Sequence, residues 1–162
     1  MLVDIHAHLD NEKFRSSLNE TINECKSKNV VAIINNGLNH ESNISTLNLS
    51  KKYDLVKASL GLYPLEAEKI NLTSFNKIKK FIIENSRNII AIGEIGLDGK
   101  YGKNHKIQEK YFISLLQIAK ELDKPVIVHS RQAELRVVEL LKQNKMDKVV
   151  MHSFTGNKKI AK

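Results

Sequence analysis

The sequence predicts an α/β fold, a parallel sheet of the (β/α) TIM-barrel type, and three observations predict it. Six short runs rich in Ile and Val recur along the chain: Leu2 to His6, Val30 to Asn35, Leu55 to Leu60, Ile89 to Glu94, Pro125 to His129 and Lys148 to His152. Several are apolar nearly throughout, the pattern of strands buried on both faces of a parallel sheet. Helical periodicity fills the stretches between them, and parallel strands joined by crossover helices follow from that alternation. Polar residues close several of the runs, and in a barrel the C-terminal strand ends converge on one mouth. An open doubly wound sheet has the same order of elements. The lack of a Gly-rich phosphate loop after the first run weighs against it.

Taken in order, the first run leads to Ser17 and Glu20, an S-x-x-E capping box ahead of Leu18, Ile22 and Cys25. The stretch after Pro64 is expected to hold only a short turn of helix. Phe75, Ile78 and Phe81/Ile82 then repeat at helical spacing, as do Tyr111, Leu115, Ile118 and Leu122, and finally Leu135, Val138 and Leu141. The loop from Asp98 to Lys106, DGKYGKNHK, has the composition of the most flexible segment. No linker or low-complexity tract divides the chain, so residues 1–162 are expected to form one domain.

The 162 residues are 41% hydrophobic and 27% charged, ordinary for a soluble globular protein. No stretch approaches the roughly 18 uninterrupted apolar residues of a membrane span. The opening MLVDIHAHLD places Asp and His where a secretion signal needs an apolar run. Cys25 is the only cysteine and reads as a small apolar residue on a helix face; a chain without internal disulfides suits the cytoplasm. The formal net charge of +8 favours a polyanionic partner such as nucleic acid. Much of that excess is lysine on solvated helix faces (Lys79, Lys80, Lys103, Lys106, Lys110, Lys142), a pattern that an AT-rich genome also produces.

His6 and His8 lie two apart at the end of the first run. Alternate side chains of a strand point the same way, so two imidazoles converge as a shared metal ion requires, with Asp4 in the same phase. Imidazole and carboxylate ligands suit zinc, manganese and similar ions. Glu94 closes the otherwise apolar IIAIGE, where a carboxylate is costly to bury without a cation; a salt bridge to Lys or Arg would also meet that need. His129 ends PVIVHSR and His152 ends VVMH. One such histidine is ordinarily structural, but four histidines and a glutamate on four strands at the same end form a constellation.

In order and spacing, DIHAHLD, GEIGLD, then Gln108, Phe112 and Ala119 leading to PVIVHSRQA, and HSFTG resemble the TatD family of metal-dependent deoxyribonucleases. That family has the amidohydrolase-type barrel. The resemblance implies two divalent metal ions (Mg, Mn or Zn). His6 and His8 would bind one, Glu94 would bridge both, and His129 with His152 would bind the second. It further implies that Arg131 lies near a substrate phosphate and that the substrate is DNA, single-stranded or at 3′ ends. Two departures stand out. Where the family commonly carries His-Pro-His after the third strand, this chain has Tyr63 and Leu65 around Pro64, so Tyr63 could supply a hydroxyl in place of a histidine. The family's further metal-binding aspartate, at the end of an eighth strand, does not occur in these residues.

Against that family the chain is expected to be an incomplete barrel of six of eight β-α units. Exposed sheet edges at the first and sixth strands would then invite self-association. Three activities compete: a TatD-like phosphodiesterase whose turnover is impaired, a degenerate metal- or nucleic-acid-binding protein, and an amide or ester hydrolase of the same superfamily. Glu94 at the fourth strand, where other members carry a carboxylated lysine, favours the TatD-like type. Asp98 reads as a loop-starting residue rather than a partner of a metal ligand.

Overall fold

The computed structural model describes residues 1–160. Six strands, β1 (Leu2–Ala7), β2 (Val30–Asn36), β3 (Val56–Leu60), β4 (Ala91–Gly96), β5 (Val126–His129) and β6 (Val149–Met151), form one sheet whose spatial order is the sequence order. Every neighbouring pair is parallel. A sheet that adds each strand beside the last curls as a TIM-type barrel does, and the six strands form a curled half-barrel with helices. The six expected runs are these six strands, displaced by one or two residues at their ends.

The connecting helices are α1 (Leu18–Ser27), α2 (His40–Lys52), α3 (Pro64–Ala67), α4 (Leu72–Glu84), α5 (His105–Glu121) and α6 (Glu134–Gln143). The main core lies between β3–β5 and α4–α6, where Leu60, Ile82, Ile92, Leu116, Val128 and Val137 are buried. A smaller cluster of Leu9, Ile22, Ile33, Leu55 and Val56 sits under α1, with Cys25 packed on it as an apolar residue. β4 and β5 are buried along their whole length. β1, outermost among the described strands, leaves Leu2, Val3 and Ile5 exposed. No helix among the described residues is long and apolar enough to cross a membrane.

Several local expectations need correction. Ser17 precedes α1 but makes no side-chain cap, because its backbone (φ −117, ψ 5) lacks the extended conformation that brings a capping oxygen onto the helix. Asparagines do that work elsewhere: Asn39, Asn71 and Asn104 accept the N–H groups of Ser42, Ser74 and Ile107 at 3.0, 2.9 and 3.2 Å. α6 buries Val137, Leu140 and Leu141, while Leu135 is exposed, so its apolar stripe is rotated from the expected one.

The Asp98–Lys106 loop is tied down rather than free. Glu68 accepts the N–H groups of Lys103 and Asn104 at 2.9 and 2.8 Å, and Asp98 accepts those of Lys100 and Tyr101 at 3.0 and 2.7 Å. At its root, Gly96 has φ +141, and a Cβ there would stand 2.0 Å from the His129 carbonyl oxygen. Only glycine lets β4 leave the sheet this close to β5. The next N–H, of Leu97, then bonds to that carbonyl at 3.0 Å.

Candidate metal centre

His6 is the penultimate residue of β1 and His8 follows the strand, so the pleat aims both rings to one side. Their Nε2 atoms are 3.0 Å apart. Asp4, in the same phase, is exposed and accepts the His6 backbone N–H at 3.0 Å, the bond an outer strand leaves open. Glu94 lies inside β4 and is 2% exposed. The peptide that joins it to Gly93 is cis. His129 ends β5 and His152 directly follows β6, so four strands deliver five side chains to one place.

The two carboxylate oxygens of Glu94 divide these histidines into pairs. Oε2 faces His6 Nε2 at 3.4 Å and His8 Nε2 at 3.3 Å. Oε1 faces His129 Nδ1 at 2.9 Å and His152 Nε2 at 2.7 Å. The pairs also touch each other, since the His6 and His152 rings stack at 3.8 Å between centroids. Burial alone would raise the Glu94 carboxyl, but the bonds from His129, His152, His6 and His8 outweigh it and hold the group far below the usual carboxylate range. For His8, burial alone would lower the imidazole. Glu94, with the Asn36 carbonyl and Asp10, holds it above its ordinary 6.5 instead.

The remote nitrogens decide what the near ones present. His8 Nδ1 lies 2.8 Å from the Asn36 carbonyl oxygen, an acceptor only, so Nδ1 carries the hydrogen and the neutral ring turns a bare Nε2 toward Glu94. His129 Nε2 likewise lies 3.0 Å from Asp98 Oδ2, which leaves Nδ1 bare. Two lone pairs then confront one carboxylate, an arrangement that requires a proton or a cation between them. His6 Nδ1 is buried without a partner. The sets His6, His8, Glu94 and Glu94, His129, His152 each offer ligand atoms within 4.8 Å of one another. Imidazole nitrogens around one carboxylate, with the His8 and His129 rings oriented by hydrogen bonds behind them, are a donor set that fits divalent metal ions.

Asp98 is the residue sequence reasoning undervalued. It is 0% exposed. Oδ1 holds the Lys100 and Tyr101 N–H groups, while Oδ2 takes His129 Nε2 and, at 3.3 Å, the Tyr63 hydroxyl. Burial alone would raise its carboxyl, and these donors lower it instead. The available signal was its position two residues past Gly96, at the same end of the sheet as Glu94. Tyr63 packs edge-on against the His129 ring at 5.0 Å. Burial, then the charges of Asp98 and Glu94, push its phenol up to about 12, so at neutral pH it is a donor and never a base. Arg131 is exposed and, with His129, Ser130, His152, Ser153 and Thr155, lines a cavity of about 150 Å³. Larger cavities of about 410 and 420 Å³ lie elsewhere, one between Leu9–Arg15 and α2, the other against α6 and β6. The donor atoms, rather than cavity size, mark the candidate centre.

Comparison with known proteins gives a family match and relatives at moderate identity. The family model described as TatD related DNase matches residues 3–162. The chain is 33% identical to the uncharacterized metal-dependent hydrolase YabD of Bacillus subtilis, with 100% of this chain and 64% of that protein aligned. It is 31% identical to the human deoxyribonuclease TATDN3, covering 99% of this chain and 63% of the relative. The 3′-5′ ssDNA/RNA exonuclease TatD of Edwardsiella piscicida is 28% identical, over 97% and 61%. The crystal structure of YJJV, a TatD homologue from Escherichia coli, superposes with a TM-score of 0.90 at 28% identity, covering 99% of this chain and 62% of that one. The chain thus spans less than two thirds of the length of the relatives it matches.

Proposed function

The chain belongs to the TatD-related DNase family, and from that membership we propose that its His/Glu cluster hydrolyses phosphodiester bonds of DNA with two divalent metal ions. The observation that carries the reading is the division of Glu94: one carboxylate oxygen serves His6 and His8, the other His129 and His152. A carboxylate so placed is a bridge between two three-ligand sets. Mg, Mn or Zn ions held there would supply a water nucleophile at neutral pH and offset charge on the scissile phosphate. The protein's own part is to fix the ligands. Asn36 and Asp98 hold His8 and His129 in the tautomer that presents a lone pair, and burial keeps Glu94 from solvent.

In this reading Arg131, on the rim of the cavity beside His129 and His152, takes a phosphate oxygen pair, as a guanidinium is shaped to do. Tyr63 stands where the family commonly has a histidine, and a contact from its hydroxyl to substrate would exchange the bond to Asp98. Names of relatives such as the 3′-5′ ssDNA/RNA exonuclease support single strands and 3′ ends as the form of DNA attacked. A reducing cytoplasm agrees with a single unpaired thiol, Cys25.

The test is turnover of single-stranded DNA by the chain with added magnesium or manganese, beside Glu94→Ala. Metal-dependent cleavage that vanishes in the variant supports the reading. Metal binding without turnover of DNA favours the degenerate binding protein, and turnover of amides or esters in its place favours a different hydrolase of the same superfamily.

A further inference from the structure

Tyr101 is the one exposed phenylalanine or tyrosine among the described residues, 53% accessible. It sits in the loop after β4, and nothing in the packing of the core asks for it there. Its ring carries two cations: Lys100 Nζ lies 5.1 Å from the centroid and the Arg131 guanidinium 5.5 Å. Arg131 lines the small cavity that His129 and His152 also line, so the ring adjoins the metal cluster through a single side chain.

The backbone that carries the ring is also held. Asp98 Oδ1 accepts the Tyr101 N–H at 2.7 Å while its other oxygen orients His129. Gly99 N–H bonds to the Arg131 carbonyl at 2.8 Å, and a Cβ on Gly99 would come 2.4 Å from the Gln132 carbonyl oxygen, so the two loops are clasped backbone to backbone. One carboxylate therefore anchors both the backbone that carries the ring and a ligand of the candidate centre. An exposed aromatic ring on an anchored loop, with cations over it that can turn to phosphates as a base takes their place, is an arrangement that receives an unpaired base and its phosphates.

We propose that Tyr101, with Lys100 and Arg131, is a base-stacking platform that makes the site selective for single-stranded nucleic acid. The inference rests on the phosphodiesterase reading for its substrate class. In a duplex the bases are already stacked on one another and their faces are hidden, so the platform discriminates by strandedness rather than by sequence.

The experiment is anisotropy titration of the full chain, with EDTA present to prevent cleavage, against a short labelled oligothymidylate and a duplex of equal length. Wild type should bind the single strand more tightly. Tyr101→Ala should weaken that binding roughly five- to hundredfold, the range base stacking spans, with little change for duplex. Tyr101→Phe should stay within about twofold of wild type, since the ring is kept. A 2-aminopurine oligonucleotide should be quenched on wild type and Tyr101→Phe but not on Tyr101→Ala. Equal binding by wild type and Tyr101→Ala, an equal loss for both strand forms, or no preference in wild type would overturn the platform. A chain that binds single strands through Tyr101 yet cleaves none under metal refutes the hydrolytic reading and leaves the platform standing.

Discussion

Replacing Asp98 by Asn tests the orientation of His129 without changing the volume of the side chain. Oδ1 of Asp98 accepts two backbone N–H groups, at 3.0 and 2.7 Å, and Oδ2 takes His129 Nε2 and the Tyr63 hydroxyl. An asparagine has one acceptor oxygen and one donor amide. If its oxygen keeps the two backbone N–H groups, its NH2 meets His129 Nε2. That nitrogen must then accept, which moves the ring hydrogen to Nδ1, the atom 2.9 Å from Glu94 Oε1. The lone pair needed for a metal ion is thereby lost at one of the two sets. Removing a partner that orients a metal-binding histidine typically costs 10- to 100-fold in metal affinity, or about 1.4–2.8 kcal/mol. The His6, His8 and Glu94 set should be affected much less. Calorimetric titration with manganese or zinc reads the affinity, and long-range proton–nitrogen NMR of His129 reads the tautomer. Asp98→Asn with wild-type affinity at both sets and hydrogen still on His129 Nε2 would refute the reasoning.

Two further outcomes follow from the same geometry. His8 is held above its ordinary 6.5 and Glu94 below its ordinary 4.5 in the metal-free chain. The raised histidine contributes stability below pH 6.5 that is lost as pH rises through its folded value, and the lowered glutamate contributes stability above 4.5 that is lost only deep in acid. The melting temperature of the metal-free chain should therefore fall from slightly acid to slightly alkaline pH, while the gain on adding metal should grow over the same interval, because metal needs neutral imidazoles. At a hundredfold excess over the Kd that gain is about 2.7 kcal/mol, and a metal-induced shift larger in acid would contradict the assignment. Separately, β1 is an outer strand with Leu2, Val3 and Ile5 exposed. Light scattering of the chain alone should give a mass above the monomer that rises with concentration, whereas a monomer throughout would show that the edge is protected.

How far the sequence foretold these features depends on where the side chains of each element point. The central strands were legible because β4 and β5 are buried on both faces, so AIGEIG and VIVH read as apolar runs around Glu94 and His129. Glu94 and His129 were legible as polar residues in such runs, His6 and His8 through their spacing of two, and His152 through its place at the same end of the sheet. α2 carried less of that apolar signal because its inner face is mostly polar. Asn43 is buried against Gly61, giving and taking bonds of 2.9 and 3.0 Å, and Thr46 is buried against Asn35 at 2.8 Å. Leu47 is the one apolar side chain that α2 buries fully, too little to mark a stripe. Asp98 looked like a loop residue because Asp before Gly is ordinary turn chemistry. Its second oxygen is committed to a histidine that lies 31 residues away along the chain, a contact only the fold creates. The DGKYGKNHK loop misled similarly, since Glu68, from the segment after β3, supplies the bonds that hold it.

Anomalous diffraction from crystals of the chain soaked in manganese would reveal whether two ions share Glu94, as proposed. Two peaks are expected, one on each side of the Glu94 carboxylate, about 3.5–4 Å apart, with His6 and His8 on one and His129 and His152 on the other. A single peak away from Glu94, or no peak at the cluster, would contradict the proposal.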